Sequence, residues 1–124
     1  MTSELRVTTI ANNAGSESVD TTYVVNGSAK SFCKFSQSGS HTTNNSFNIS
    51  SLTDVGTGYT SLTFTSSMAN TDYVPTSLST AGGTKIQFAA FHASGSYRLI
   101  NRDYEGTGNE DNTGIGSATI GELA

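Results

Sequence analysis

Ala29-Lys30-Ser31-Phe32-Cys33-Lys34-Phe35 alternates small or apolar side chains with charged or aromatic ones along its whole length. In an extended chain successive side chains point to opposite faces. Ala29, Ser31, Cys33 and Phe35 are therefore expected on one face, and Lys30, Phe32 and Lys34 on the other. The block around it, from Val25 to Thr65, reads as three short strands joined by polar, glycine-bearing turns. After the wholly polar Ser36–Asn45, expected to be a loop or a wide hairpin connection, Phe47 and Ile49 should share a face. Leu52 changes phase before the Asp54-Val55-Gly56-Thr57-Gly58 turn, and Leu62 and Phe64 share a face in the strand that follows.

Outward from this block the pattern stays extended. Leu5 and Val7 alternate, with Ile10 out of step, so a bend or bulge is expected between them. Asn12-Asn13-Ala14-Gly15 is a turn signal, and Val19–Val25, rich in Thr, Tyr and Val, reads as extended. Residues 1–22 carry too few apolar side chains to fold alone and are expected to form an arm; residues 23–124 form the head domain. Pro75 cannot donate to a ladder, which puts Tyr73-Val74-Pro75 on an edge strand or at a strand start. Ala81-Gly82-Gly83-Thr84 is a turn, Ile86, Phe88 and Ala90 share a face, and Tyr97–Arg102 is a further strand. Glu105–Gly116 is expected to be loop, with a last short strand around Ile115, Ile120 and Leu123. No window holds a sustained helical period. Short strands with frequent turn signals predict an all-β fold, an antiparallel β-sandwich or jelly-roll-like head with a short extended N-terminal arm.

Composition sharpens this. The 124 residues fit one domain with an appended arm. Close to a third are Ser or Thr, only 34% are hydrophobic, and there is no Trp, so a monomeric core would be thin. Eleven Phe and Tyr with only 13% charged residues argue against disorder. Burial of further surface between subunits reconciles the two. A net charge of −4 with six scattered basic residues argues against nucleic acid as a partner. No apolar run approaches a membrane span, so no membrane insertion is expected. No signal peptide follows Met1, and the single Cys33 cannot form an intrachain disulfide; synthesis in a reducing cytoplasm is expected.

Nothing assembles into a catalytic or cofactor site, so neither an enzyme nor a cofactor is expected. His41 and His92 lack metal-ligand spacing and read as exposed loop or strand-end residues. Cys33, in phase with Phe35, reads as a small buried hydrophobe rather than a nucleophile. Asp103, Glu105, Asn109, Glu110, Asp111 and Asn112 form one acidic, glycine-threaded loop; its order does not match a calcium loop, and a solvated turn is the plainer reading. Phe32, flanked by Lys30 and Lys34 on the outer face, is a candidate subunit contact.

Several motifs also resemble the tail-fibre and fibre-like virion proteins of marine tailed bacteriophages, including those of cyanobacteria. The opening Ser3–Asn12 with Gly15 is similar to their N-termini. Asn26-Gly27-Ser28-Ala29-Lys30 leading to Phe32 and Phe35, the Ser46-Phe47-Asn48 strand, Gly56-Thr57-Gly58, Phe64-Thr65 and Met68–Tyr73 follow in the family's order. The likeness covers about two thirds of the chain. Phe32 stands where a Trp is usual, Cys33-Lys34 replaces a more neutral pair, and Tyr59-Thr60-Ser61 replaces an acidic-then-aromatic entry. From Ala93 onward the match is loose.

The resemblance implies a non-enzymatic virion structural protein, assembled in the host bacterial cytoplasm and trimeric: a short tail-fibre or tail-tip component contacting the host surface. It implies self-association as a homotrimer, contact with other virion proteins, and a host surface glycan or protein as a further partner. Leu5, Val7 and Ile10 would belong to a virion anchor or stem. His41 and His92 would lie in receptor-contact loops, with Tyr97 and Tyr104 as aromatic platforms. A capsid-attached fibre or decoration protein is the alternative within the virion, and a stand-alone carbohydrate-binding module the alternative outside it.

Overall fold

The computed structural model describes residues 3, 5–80, 85–105 and 108–124. The expected turn at Ala81–Thr84 lies outside them. The body is an antiparallel β-sandwich, the first of the two architectures expected. Eight strands build it: β3 (Ala29–Ser36), β4 (Thr42–Phe47), β5 (Ile49–Gly56), β6 (Tyr59–Phe64), β7 (Val74–Ser79), β8 (Lys85–Ala93), β9 (Ser96–Asp103) and β10 (Ile115–Ile120). The first sheet has the order β4-β3-β10-β7 and the second β5-β6-β9-β8. Ahead of them, β1 (Thr9–Ala11) and β2 (Ser18–Asp20) form a separate hairpin, followed by a short helix, α1 (Thr21–Gly27).

The core lies between the two sheets. Cys33 and Phe35 from β3, Leu62 and Phe64 from β6, Tyr97 and Leu99 from β9 and Ile115 from β10 meet there, closed at one end by Met68 and Tyr73. The alternation of β3 therefore holds over Ser31–Phe35. It breaks at its start, where Ala29 is exposed and Lys30 buried. The register against β10 slips between Thr119 and Ile120, so Lys30 is the extra residue of a bulge and turns inward. Its ammonium is held by the Val25 carbonyl and by Ser28 Oγ at 2.6 Å.

Two further expectations change in three dimensions. Val19–Val25 is not extended throughout: after Asp20 the chain turns into α1. The Asp20 carboxylate caps it by accepting from the Thr22 N–H at 2.7 Å, a bond that holds the Asp20 pKa below its ordinary value. Residue 22, where the arm was expected to end, lies in the first turn of that helix. Ser36–Asn45 is a hairpin connection narrower than expected, because Thr42–Asn45 already belongs to β4 and pairs with β3.

Phe47 and Ile49 do not share a face. Asn48, at φ 56°, carries the chain from one sheet to the other, so Phe47 stays outside while Ile49 packs on the core. Asn tolerates this left-handed conformation. Its amide clamps the crossing, donating to the carbonyls of Lys30 (3.0 Å) and Ser66 (3.1 Å) and accepting from the Ser66 N–H (2.7 Å). β7 is an edge strand, as Pro75 requires.

The scarcity of apolar residues leaves a core laced with hydroxyls. Ser31 and Thr119 bond across β3 and β10 at 2.7 Å. The Tyr97 hydroxyl meets Ser117 Oγ at 2.9 Å, and Ser117 passes its own proton to the Thr76 carbonyl. Burial, only partly offset by the Ser117 bond, raises the Tyr97 pKa. Each buried hydroxyl is thereby satisfied, which is what permits it in the interior.

Candidate functional site

Two regions are candidates for function: a polar network within the sandwich and the outer faces of the two sheets. The network converges on Thr60, which is fully buried. Gln37 Nε2 donates to Thr60 Oγ1 at 3.0 Å, which leaves the threonine proton for His41 Nδ1 at 3.1 Å. The imidazole proton then sits on Nε2, facing the half-exposed Asp54 carboxylate at 3.6 Å. Carboxylate, imidazole and hydroxyl in line resemble the layout of a nucleophilic triad. Thr60 has no exposed surface, so its hydroxyl cannot meet a substrate, and the arrangement works as a structural lock.

The lock extends through Gln37 Oε1, which accepts from the Asn112 N–H at 3.1 Å. Asn112 in turn donates to Ser79 Oγ at 2.7 Å. The side chain of Asn101 donates to the Glu110 carbonyl, and Asp111 accepts from the Gly58 N–H at 2.7 Å. The acidic loop is thus partly tied down: Asp111 holds a backbone amide and Glu110 pairs with Lys85, a bond that raises the lysine pKa. Among the described residues, no three of His, Cys, Asp and Glu come together as metal ligands would.

This geometry revises two of the receptor-contact candidates. His41 is buried, held inside by its Thr60 bond, and Tyr97 is fully buried at the centre of the core. Neither can serve as a surface platform. Sequence reasoning misses His41 because its neighbours are all polar; only folding places Thr60 and Gln37 over it. His92 and Tyr104 are exposed, with His92 stacked on Tyr73 at 5.1 Å. Cys33 is the buried free thiol expected, its pKa pushed up to about 11 by burial.

The outer face of the first sheet is the other candidate region. Register places Phe47, Phe32, Ala118 and Thr76 in one row across the four strands. Ala29, Ile120 and Val74 form the next row, and Asn45, Lys34, Gly116 and Leu78 a third. Phe32 and Phe47 stack with ring centroids 6.0 Å apart and remain 41% and 54% exposed; Leu78 is 70% exposed. With Val74, Ile120 and Leu123 these side chains show on the order of 500 Å² of apolar surface, taking about 150–200 Å² for each when fully exposed. That lies at the upper end of the largest patch on an ordinary monomer. The patch runs into a groove of about 520 Å³ between α1, the start of β3, Phe47 and Leu123.

The second sheet is also apolar outside. Ile86, Phe88 and Ala90 do share a face, as expected, but it is the outer one, while Ala89 packs on the core. Phe88 stands in a row with Ile100 and Tyr59, and the Arg98 guanidinium covers the Phe91 ring at 4.8 Å.

The edges, by contrast, are guarded. β4 is bulged at Asn44, β5 at two points, and β8 around Phe91, whose φ is 52°; β7 carries Pro75. Bulges and proline block strand addition at an edge. The apolar surface left open therefore lies on the sheet faces, away from these edges.

Models of protein families, curated proteins and solved structures contain no match to the chain.

Proposed function

We propose that this chain is a structural subunit of a bacteriophage virion, a short tail-fibre or tail-tip component, that works by assembling with copies of itself into a trimer. The observation that carries this reading is the open apolar face of the first sheet, with stacked Phe32 and Phe47, on a molecule whose sheet edges are blocked. Such a face is stable in water when a neighbour covers it. A core rich in hydroxyls and poor in large apolar side chains agrees with stability drawn partly from that contact. The virion assignment rests on the resemblance of Asn26–Tyr73 to fibre-like proteins. The arm bearing Leu5, Val7 and Ile10 would attach the subunit as anchor or stem. His92 and Tyr104 remain candidates for meeting the host surface.

Sedimentation of the purified chain tests the assembly. A stable trimer is expected, broken to monomers by Phe47→Asp; a folded monomer at all concentrations overturns the reading. Electron microscopy of particles carrying a labelled chain tests the location. Label on the tail supports the tail-fibre role, whereas label on the capsid replaces it with a decoration role. A second reading, a carbohydrate-binding module, draws on Tyr59, Phe88, Phe91 and Arg98 on the outer face of the second sheet. A glycan array probed with wild type and Phe88→Ala distinguishes it.

A further inference from the structure

The first-sheet face and the N-terminal arm complement one another. Every residue of β1 and β2 is exposed, and α1 contains no buried residue. The hairpin nevertheless pairs Ile10 with Val19, two apolar side chains left 49% and 39% exposed. The four strands of the first sheet contain no carboxylate, and their one exposed cation is Lys34, since Lys30 is buried against Val25 and Ser28. The arm carries Glu4, Glu17 and Asp20 against Arg6 alone. Each surface thus supplies what the other lacks, in apolar contact and in charge.

We infer that the hairpin of one subunit lies across the outer face of the first sheet of a neighbouring subunit, with Ile10 and Val19 over the Phe32–Phe47 row. The carboxylate of Glu17, two residues before Val19 and on the same side of the hairpin, then faces Lys34. This rests on the self-assembly reading and names what the arm attaches to. Packing two such sheets directly on each other is the less favourable solution. It would bring lysines from both copies into one desolvated layer without a carboxylate to neutralise them. An arm-to-face contact joins unlike surfaces, so it is heterologous, and heterologous contacts close into rings when the rotation permits. A ring of three agrees with the expected trimer. The sheet face contributes on the order of 500 Å², and a hairpin of similar area brings each contact to roughly 1,000 Å², near the lower bound for a specific interface. Repetition around the ring adds to the stability of each contact.

The experiment uses the full chain. Ile10→Asp is expected to weaken self-association at least tenfold by sedimentation. At a dilution where the wild type is also monomeric, its urea midpoint should match that of the wild type, because the arm buries nothing in its own sandwich. In a mixture of Val19→Cys and Thr76→Cys chains, mild oxidation should form disulfides between the two kinds of chain ahead of like pairs. Cys33 stays out of the reaction because it is buried. Wild-type assembly by Ile10→Asp together with absent crosslinks overturns the arm inference while leaving self-assembly standing. Crosslinking within one chain of the Val19→Cys/Thr76→Cys double variant also overturns it, by returning the arm to its own face. A wild-type monomer overturns the underlying reading as well.

Discussion

Replacing Thr60 by Val removes one oxygen and keeps the shape of the side chain, at a position with no exposure. Two buried groups lose their partner: Gln37 Nε2, now 3.0 Å from Thr60 Oγ1, and His41 Nδ1, 3.1 Å away. A buried polar group left unpaired costs about 1–3 kcal/mol. The added methyl recovers part of this, so a net loss of about 2–4 kcal/mol is expected. Against a total stability of roughly 5–15 kcal/mol, that is a large fraction. For a chain of this length it lowers the melting temperature by roughly 8–15 °C. With no Trp in the chain, urea unfolding is followed by tyrosine fluorescence and far-UV circular dichroism. Thr63→Val, at a half-exposed position, is the control and should stay within about 0.5 kcal/mol. Asp54→Asn should cost little, because the carboxylate is half in solvent and 3.6 Å from the ring. A loss below about 0.5 kcal/mol for Thr60→Val would refute the lock and reopen His41 as a surface residue.

Other outcomes follow from particular contacts. A Cβ at Gly58, where φ is +74°, would sit 2.5 Å from the Asn101 carbonyl oxygen and 2.8 Å from the Glu110 nitrogen. Gly58→Ala should therefore cost more than about 3 kcal/mol by urea unfolding. Gly39→Ala has a similar φ of +67° but open space around it, and should cost only about 1–2 kcal/mol. Stability should also fall at high pH. Burial raises Cys33 from 9.0 to about 11 and Tyr73 from 10.0 to about 12, so the unfolded chain releases these protons first. Their contribution is complete below pH 9 and is lost as pH climbs toward 12, which melting curves across that window would register; a flat profile contradicts the burial of both groups. At neutral pH a thiol reagent should label Cys33 slowly in the native chain and rapidly in urea, whereas fast native labelling would place the thiol at the surface.

Local patterns along the chain were enough to specify strands. Period-two alternation at Ser31–Phe35 and at Leu62 and Phe64 is a property of neighbouring residues, and it survives folding because one side of each strand is covered. Pro75 announced an edge because a missing N–H is local chemistry too. What surrounds each strand is not local. Ile86, Phe88 and Ala90 look like core by pattern alone, yet β8 turns them outward and packs Ala89 instead, because the register with β9 sets which side meets the other sheet. Phe47 and Ile49 parted for a similar reason: one residue, Asn48, took a left-handed conformation and moved the chain between sheets. The short helix escaped the sequence reading because Asp20 capping Thr22 outweighs the extended preference of Thr, Tyr and Val over only seven residues.

For function the division runs the same way. Composition alone argued for a thin core, and the Lys-flanked Phe32 was legible as an outward aromatic. The tertiary structure set Phe47 beside it, stacked the two rings, and laid Ala118, Ile120, Val74 and Leu78 into one continuous face from strands distant in sequence. It also took His41 and Tyr97 off the surface. Burial depends on what the rest of the chain brings over a residue, and no window around that residue contains that information.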